Sequence, residues 1–328
     1  MARRQKRDIK HTITDAIGVK DMPRNVTLKL GGGAGGGIVP VNATAAGALG
    51  LAASAAATGA GGTDTRTAWE RGEAWYQANT GVQAGITLTK TGTPGGTIYT
   101  TANNQVIENL EIAGQLVIQH TGVVVRNCRF TGCTDTGGGA AITTTDTSSS
   151  LIEHVEIDGS GGQGAGYCNG IQWNGRYTGR FINIWGVWED GMKLHPYTYL
   201  YDSYIHDMAP RTGAHPDAIQ LDQCHDSEVH RCWIEDSTNP WGTSAVFIKP
   251  EVGPFSNVLV DSCYLSGGGF TMAFDMLNYG LSNFTITNNV WGNGIWEYGP
   301  VRVANGTVSN LVWTGNTLST GATLGSPQ

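Results

Sequence analysis

The sequence predicts a right-handed parallel β-helix from about Val106 to the C-terminus, and two interleaved ladders of apolar residues predict it. The first runs Leu110, Cys128, Val155, Ile184, Tyr204, Cys232, Cys263, Val290 and Thr317, drawn from related runs such as VIENLEI, VVRNCRF and LIEHVEI. The second falls between its members: Leu116, Ile142, Ile171, Met192, Ile219, Val246, Met272 and Val301. Its steps are 26, 29, 21, 27, 27, 26 and 29 residues, and both ladders contract at the same coil. Almost every second-ladder position has another apolar residue two places on, which is strand alternation. An antiparallel sandwich would bring strands every 8–12 residues or so, with no two-phase period. One coil cannot bury its inward face alone, so stability must come from stacking rungs about 4.8 Å apart. A single-stranded solenoid of about eight to nine coils is expected.

The chain divides into three zones. Residues 1–62 form an extended arm: a basic start (Arg3, Arg4, Lys6, Arg7, Lys10), the run ITDAIGVKDMPRNVTLKL and a Gly/Ala tract. Such sequence cannot bury a core of its own and is expected to be ordered by a partner. Residues 63–80, with Asp64 near the start and aromatics at Trp69, Trp75 and Tyr76, read as one short helix that caps the β-rich zone. Residues 81–328 are the β-helix. The 48 glycines indicate many turns, since apolar content stays at 40%. A net charge of −7 argues against a nucleic-acid partner. The small-residue tract from Val41 to Gly62 argues against a membrane span, and the basic start lacks the apolar run of a secretory signal. The six cysteines show no metal-type spacing, so free buried thiols are expected, with Cys232 and Cys263 forming a thiol ladder.

Outward residues beside the second ladder form two columns. One holds Lys193 and Gln220; the next runs His195, Asp222, Lys249 and Asp275 on consecutive rungs. This second column reads either as cross-strand ion pairing or as a glycan-binding patch. Candidate catalytic residues are Asp190, Asp217, Asp222, His215 and Lys193. Asp190 and Asp217 fall one rung apart, near the retaining carboxylate separation, while Asp222 and Asp275 fall two rungs apart, near the inverting one. His215 beside Asp217 offers an acid/base pair. Lys193, His195 or Lys249 could serve as a lyase base. No cofactor is required; Ca²⁺ shared by Asp190 and Asp217 is the alternative. Beside the first ladder, an outward row of Trp185, Trp233, Tyr264 and Trp291 reads as a subunit interface or a sugar-stacking platform.

The stretch ANTGVQAGITLTKTG, followed by NNQVIENLEIAGQLVIQHTGVVVRNCRFTG, resembles pectate-lyase-like β-helix proteins of actinobacteria and their tailed phages. The likeness covers roughly Asn79 to Thr320. It implies a virion-associated tail or tail-tip β-helix, a homotrimer, docked to other virion proteins through residues 1–62 and binding host cell-envelope polysaccharide. A G-x-H-x-D-x-I-Q element of such proteins is matched by Gly213, His215, Asp217, Ile219 and Gln220. The paired-carboxylate and His-Gly signatures of polygalacturonase-type hydrolases, and an Arg-based lyase signature, are absent. A virion structural protein is therefore expected, with a polysaccharide lyase or glycoside hydrolase as the alternative.

Overall fold

Short strands with alternating burial can hide one face only by stacking on copies of themselves. A computed structural model shows that arrangement. It describes residues 64–131, 139–160, 169–172, 175–209, 214–236, 244–251, 253–277, 279–292 and 298–327. The arm 1–62, with Cys133, Cys168, Trp173 and Gly213, lies outside the described residues. Each coil contributes one strand to each of three parallel sheets, and every strand pairs with its counterparts in neighbouring coils.

The second ladder is the inward row of the first sheet. Leu116, Ile142, Ile171, Met192, Ile219, Val246, Met272 and Val301 stand in one register. The second sheet turns Val125, Ile152, Gly179, Leu200, Val229, Val260, Ile286 and Trp313 inward. Gly179 marks the narrow coil, because a Cβ there would meet Ile182 Cδ1 at 2.8 Å. All three inward rows merge into one apolar core. The solenoid makes about six regular turns, slightly fewer than the eight to nine expected. Its ends depart from the three-strand plan: the first strand, Thr89–Tyr99, carries a register shift between Gly92 and Thr97, and the last coil breaks into pieces of two and three residues.

The first ladder needs correction. The inward row of the third sheet is Ile112, Phe130, Ile157, Ile184, Ile205, Ile234, Leu265, Trp291 and Leu318. Tyr204, Val290 and Thr317 face outward, and Trp291 is fully buried, so it cannot serve as an interface or stacking residue. The cause is a corner residue with left-handed backbone before the third sheet in every coil. Asn109, Asn127, His154, Phe181, Asp202, Arg231, Ser262, Asn288 and Gly315 all have φ between 49° and 69°. Such a residue resets the alternation, so counting by twos across it slips by one. Behind the corner lies a row of inward residues that includes the predicted Cys232–Cys263 pair. The Cys232 amide donates to Cys263 Sγ at 3.4 Å, and both thiols are free. Asn289 and Asn316 continue the row: Cys263 N donates to Asn289 Oδ1 at 2.9 Å, and Asn289 N to Asn316 Oδ1 at 3.1 Å.

The expected capping helix is two short helices, α1 (Ala68–Arg71) and α2 (Glu73–Asn79), and they lie along the side of the stack. Thr67 and Glu70 form a capping box that starts α1. Residues 68–89 then descend the left-handed corner as a strap. Ala68 N donates to Ser262 O, Tyr76 Oη to Arg231 O, Gly81 N to Phe181 O, Gln83 N to Asn127 Oδ1, and Thr89 N to Asn109 O. Arg71 Nη1 reaches Asp202 Oδ1 at 2.6 Å, and Asp202 also takes Arg231. Tyr76 is fully buried against Tyr204 and Trp233. Tyr76→Ala is expected to lower unfolding stability by about 3–5 kcal/mol, and Tyr76→Phe, which removes only the hydroxyl, by about 1 kcal/mol. Urea unfolding checks both; an unshifted midpoint in the alanine variant would show that the strap does not stabilise the stack.

Candidate functional site

The first sheet opens on a row of polar residues at the start of its strands. Asn169, Asp190, Asp217 and Ser244 occupy equivalent places on consecutive rungs. Each side chain can accept a hydrogen bond from the backbone of the next coil. Asp190 N donates to Asn169 Oδ1, and Asp217 N to Asp190 Oδ1, both at 3.1 Å. Asp190 and Asp217 are 3% and 2% exposed, so these carboxyls first serve to satisfy backbone amides where the chain turns.

Burial then sorts their protons. Asp217 is pushed well above the ordinary carboxylate range by burial, then by Asp190 and Asp236 nearby. Asp190 is lifted by burial but opposed by Lys193, whose Nζ stands 3.0 Å from Oδ2. Within the pair the charge is therefore favoured on Asp190, beside Lys193, and the proton on Asp217. Burial pulls Lys193 down, yet Asp190 outweighs it and Lys193 stays ammonium. Glu189 is lifted by burial and then by Asp190.

Asp190 and Asp217 lie at the edge of a cleft of about 320 Å³ lined by Glu189, Lys193, His215, Gln220, Phe247 and Lys249 as well. Lys193, Gln220 and Phe247 are successive outward residues of the first sheet. Lys249 Nζ is paired with Glu251. Asp222, half-buried, does not line the cleft; it is lifted by burial and Glu251 against the pull of Lys193 and Lys249. Six residues singled out from sequence thus converge: Asp190, Lys193, His215, Asp217, Gln220 and Lys249. Glu189, Phe247 and Glu251 carry no motif, and only their place beside ladder positions could have flagged them.

The other candidates part company with this cleft. His195 is 2% exposed, with neither ring nitrogen hydrogen-bonded among the described residues, so it is buried and cannot meet a glycan. Asp275 is occupied by Asn305 Nδ2 at 2.6 Å. Trp185 stacks on His206, with centroids 6.0 Å apart. Trp233 and Tyr264 do stack one rung apart at 3.9 Å, but the chain's own α1 and α2 pack on them, with Trp69 on Tyr264 at 5.5 Å. That row is thus covered from within the chain rather than left for a subunit or a sugar. Asp190 spends both oxygens on Asp217 N and Lys193. Among the described residues no group of three or more His, Cys, Asp or Glu is placed to hold a metal ion. No described helix is long and apolar enough to cross a membrane.

No family model and no curated protein matches the sequence. A solved structure similar to it is the tailspike protein gp49 from Acinetobacter baumannii bacteriophage Fri1, a capsular polysaccharide depolymerase. The two share 12% identity at a TM-score of 0.31, over 73% of this chain and 57% of that one. The chain therefore spans little more than half the length of that tailspike, and the fold rests on its own strand register.

Two buried groups give the stack a pH dependence. Burial holds His195 down at about 4. Its neutral form is favoured in the fold, so stability is full above pH 6.5 and falls as pH drops toward 4. Asp236, 1% exposed with both carboxyl oxygens unpartnered among the described residues, is pushed up to about 8 by burial. Its contribution has the opposite sign and is lost as pH rises from 3.8 toward 8. Taking the chain from pH 7 to pH 5 should cost about 2 kcal/mol through His195, and His195→Phe should remove that loss. Asp236→Asn should gain on the parent as pH rises from 5 to 8. Urea midpoints across this range check both, and parallel pH profiles for parent and variants would refute the assignments.

Proposed function

We propose that the chain is a structural β-helix of a tailed-phage tail that binds cell-envelope polysaccharide in the first-sheet cleft without cleaving it. The observation that carries this reading is the charge pairing of the cleft. Lys193 faces Asp190 and Lys249 faces Glu251, while burial favours the uncharged form of Asp217. What remains for a ligand is a mosaic of donors and acceptors from Gln220, His215 and Glu189 beside the half-buried ring of Phe247. Hydroxyl-rich rings with one apolar face suit such a surface. The resemblance of Asn79–Thr320 to phage and actinobacterial β-helices supports the tail setting. In this reading residues 1–62 dock to other virion proteins, and the chain works as a homotrimer.

One observation favours a second reading, hydrolysis. Asp217, whose burial favours the protonated form, stands one rung from Asp190, whose charge Lys193 supports, and an acid beside a base is what glycoside cleavage uses. Against it, Asp190 is only 3% exposed, with its oxygens already engaged by the Asp217 amide and Lys193.

Titration calorimetry of the full chain with purified envelope polysaccharide separates the two readings. Phe247→Ala and Gln220→Ala should each weaken binding by about tenfold. No reducing ends or unsaturated products should appear on incubation. Release that disappears in Asp217→Asn would replace binding by hydrolysis, and no heat of binding from any envelope fraction would refute both.

A further inference from the structure

One and two rungs beyond the cleft, the first sheet carries a second group of side chains that the cleft does not use. Phe270 follows Ser244 in the row that begins with Asn169, and Gly299 follows Phe270. Tyr298, beside Gly299, is 67% exposed, and its ring lies 5.5 Å from that of Phe270. Arg302 sets its guanidinium over Phe270, 5.7 Å from the centroid. Arg302 is exposed and stands in the outward column after Lys193, Gln220, Phe247 and Ala273.

Its charge sets it apart from the other cations of that face. Lys193 and Lys249 are each neutralised by a carboxylate. Among the described residues, no carboxylate is within ion-pair distance of Arg302; Asp275, on the preceding rung, is bonded to Asn305. A guanidinium fork held against an aromatic ring, with a second ring beside it, matches a ligand that has both an apolar ring face and a planar anion.

We infer that Phe270, Tyr298 and Arg302 form a second saccharide subsite, and that it takes a sugar bearing a carboxylate. The inference rests on the glycan-binding reading of the cleft and adds the chemical class of the polymer. The cleft, whose two lysines are already paired with carboxylates, takes a neutral sugar at Phe247. Arg302 lies two rungs on, about 10 Å along the stack, and takes the acidic one. The polymer is thus a heteropolysaccharide in which an acidic residue recurs at a short, fixed distance from a neutral one. Specificity comes from the carboxylate, because an Arg fork left without its anion loses charge-assisted hydrogen bonds that water only partly replaces.

The test uses the full chain and two probes: an acidic oligosaccharide containing hexuronate, and the same oligosaccharide with its carboxyl groups reduced to alcohols. The parent protein should bind the acidic probe about tenfold more tightly, and the gap should shrink as salt is raised. Arg302→Gln should bring the acidic probe down to the affinity of the reduced one. Phe247→Ala should weaken both probes equally and leave the gap intact. Equal affinity of the parent for both probes would overturn the acidic subsite and leave the glycan-binding reading standing. Failure of both probes to bind would count against both. Far-ultraviolet circular dichroism of Arg302→Gln confirms that the exposed substitution leaves the stack folded.

Discussion

The whole architecture depends on one backbone constraint, the left-handed residue at the corner between the second and third sheets. A parallel coil must turn sharply there while keeping the same hydrogen-bonding frame as the coils above and below. One residue at φ near 50–60° achieves this, and its amide donates to the neighbouring coil, as Arg231 N does to Asp261 O. L-residues enter that region at a cost, modest for Asn and Asp but larger for Phe181 and Arg231. Stacking offsets the cost: Phe181 lies on His154 at 4.8 Å, and Arg231 holds Asp202 with two nitrogens. The same turn aims backbone carbonyls away from the stack, and the strap binds them. Ala68, Tyr76, Gly81, Gln83 and Thr89 each reach a residue of this corner, which explains why so short a segment can follow the stack through so many coils.

From that corner the chemistry of the faces follows. Once the turn is fixed, the residue after it points inward and the next points outward, giving the thiol–asparagine row and the Tyr204–Trp233–Tyr264 row. The first sheet has no helix laid on it among the described residues, and its outward columns line the cleft. Its buried carboxyls show how one residue can serve two ends. Asp190 joins the next coil through the Asp217 amide and sets the charge state of Lys193.

The fold was legible because burial repeats. The second ladder was readable residue by residue, since alternation counts straight through its strands, even across the positive φ of Gly114 in Leu110–Ile118. The first ladder was readable only in part. Its corner is occupied by Asn, His, Phe, Asp, Arg, Ser and Gly in turn, so no residue type marks where the count must be reset. That slip is what placed Trp291 outside. The cleft was half legible: Asp190, Lys193, Asp217, Gln220 and Lys249 followed from register, whereas Phe247 looked like any apolar strand residue. His195 was misplaced for a different reason. It ends a strand at a corner, where local packing rather than alternation decides which way a ring faces.

The strap also dictates an order of events. Ala68 can meet Ser262 only after the coil that holds Ser262 exists, and Tyr76 must wait for Arg231. Residues near the start of the described chain therefore find their places among the last. Contacts so distant in sequence make slow folding steps, because a long loop must close before any stabilisation returns. A nascent stack would carry its aromatic row bare until the strap arrives. The N-terminal segment thus acts as a clasp that closes a finished rod, and the period before it closes is when Trp233 and Tyr264 are open to the wrong partner.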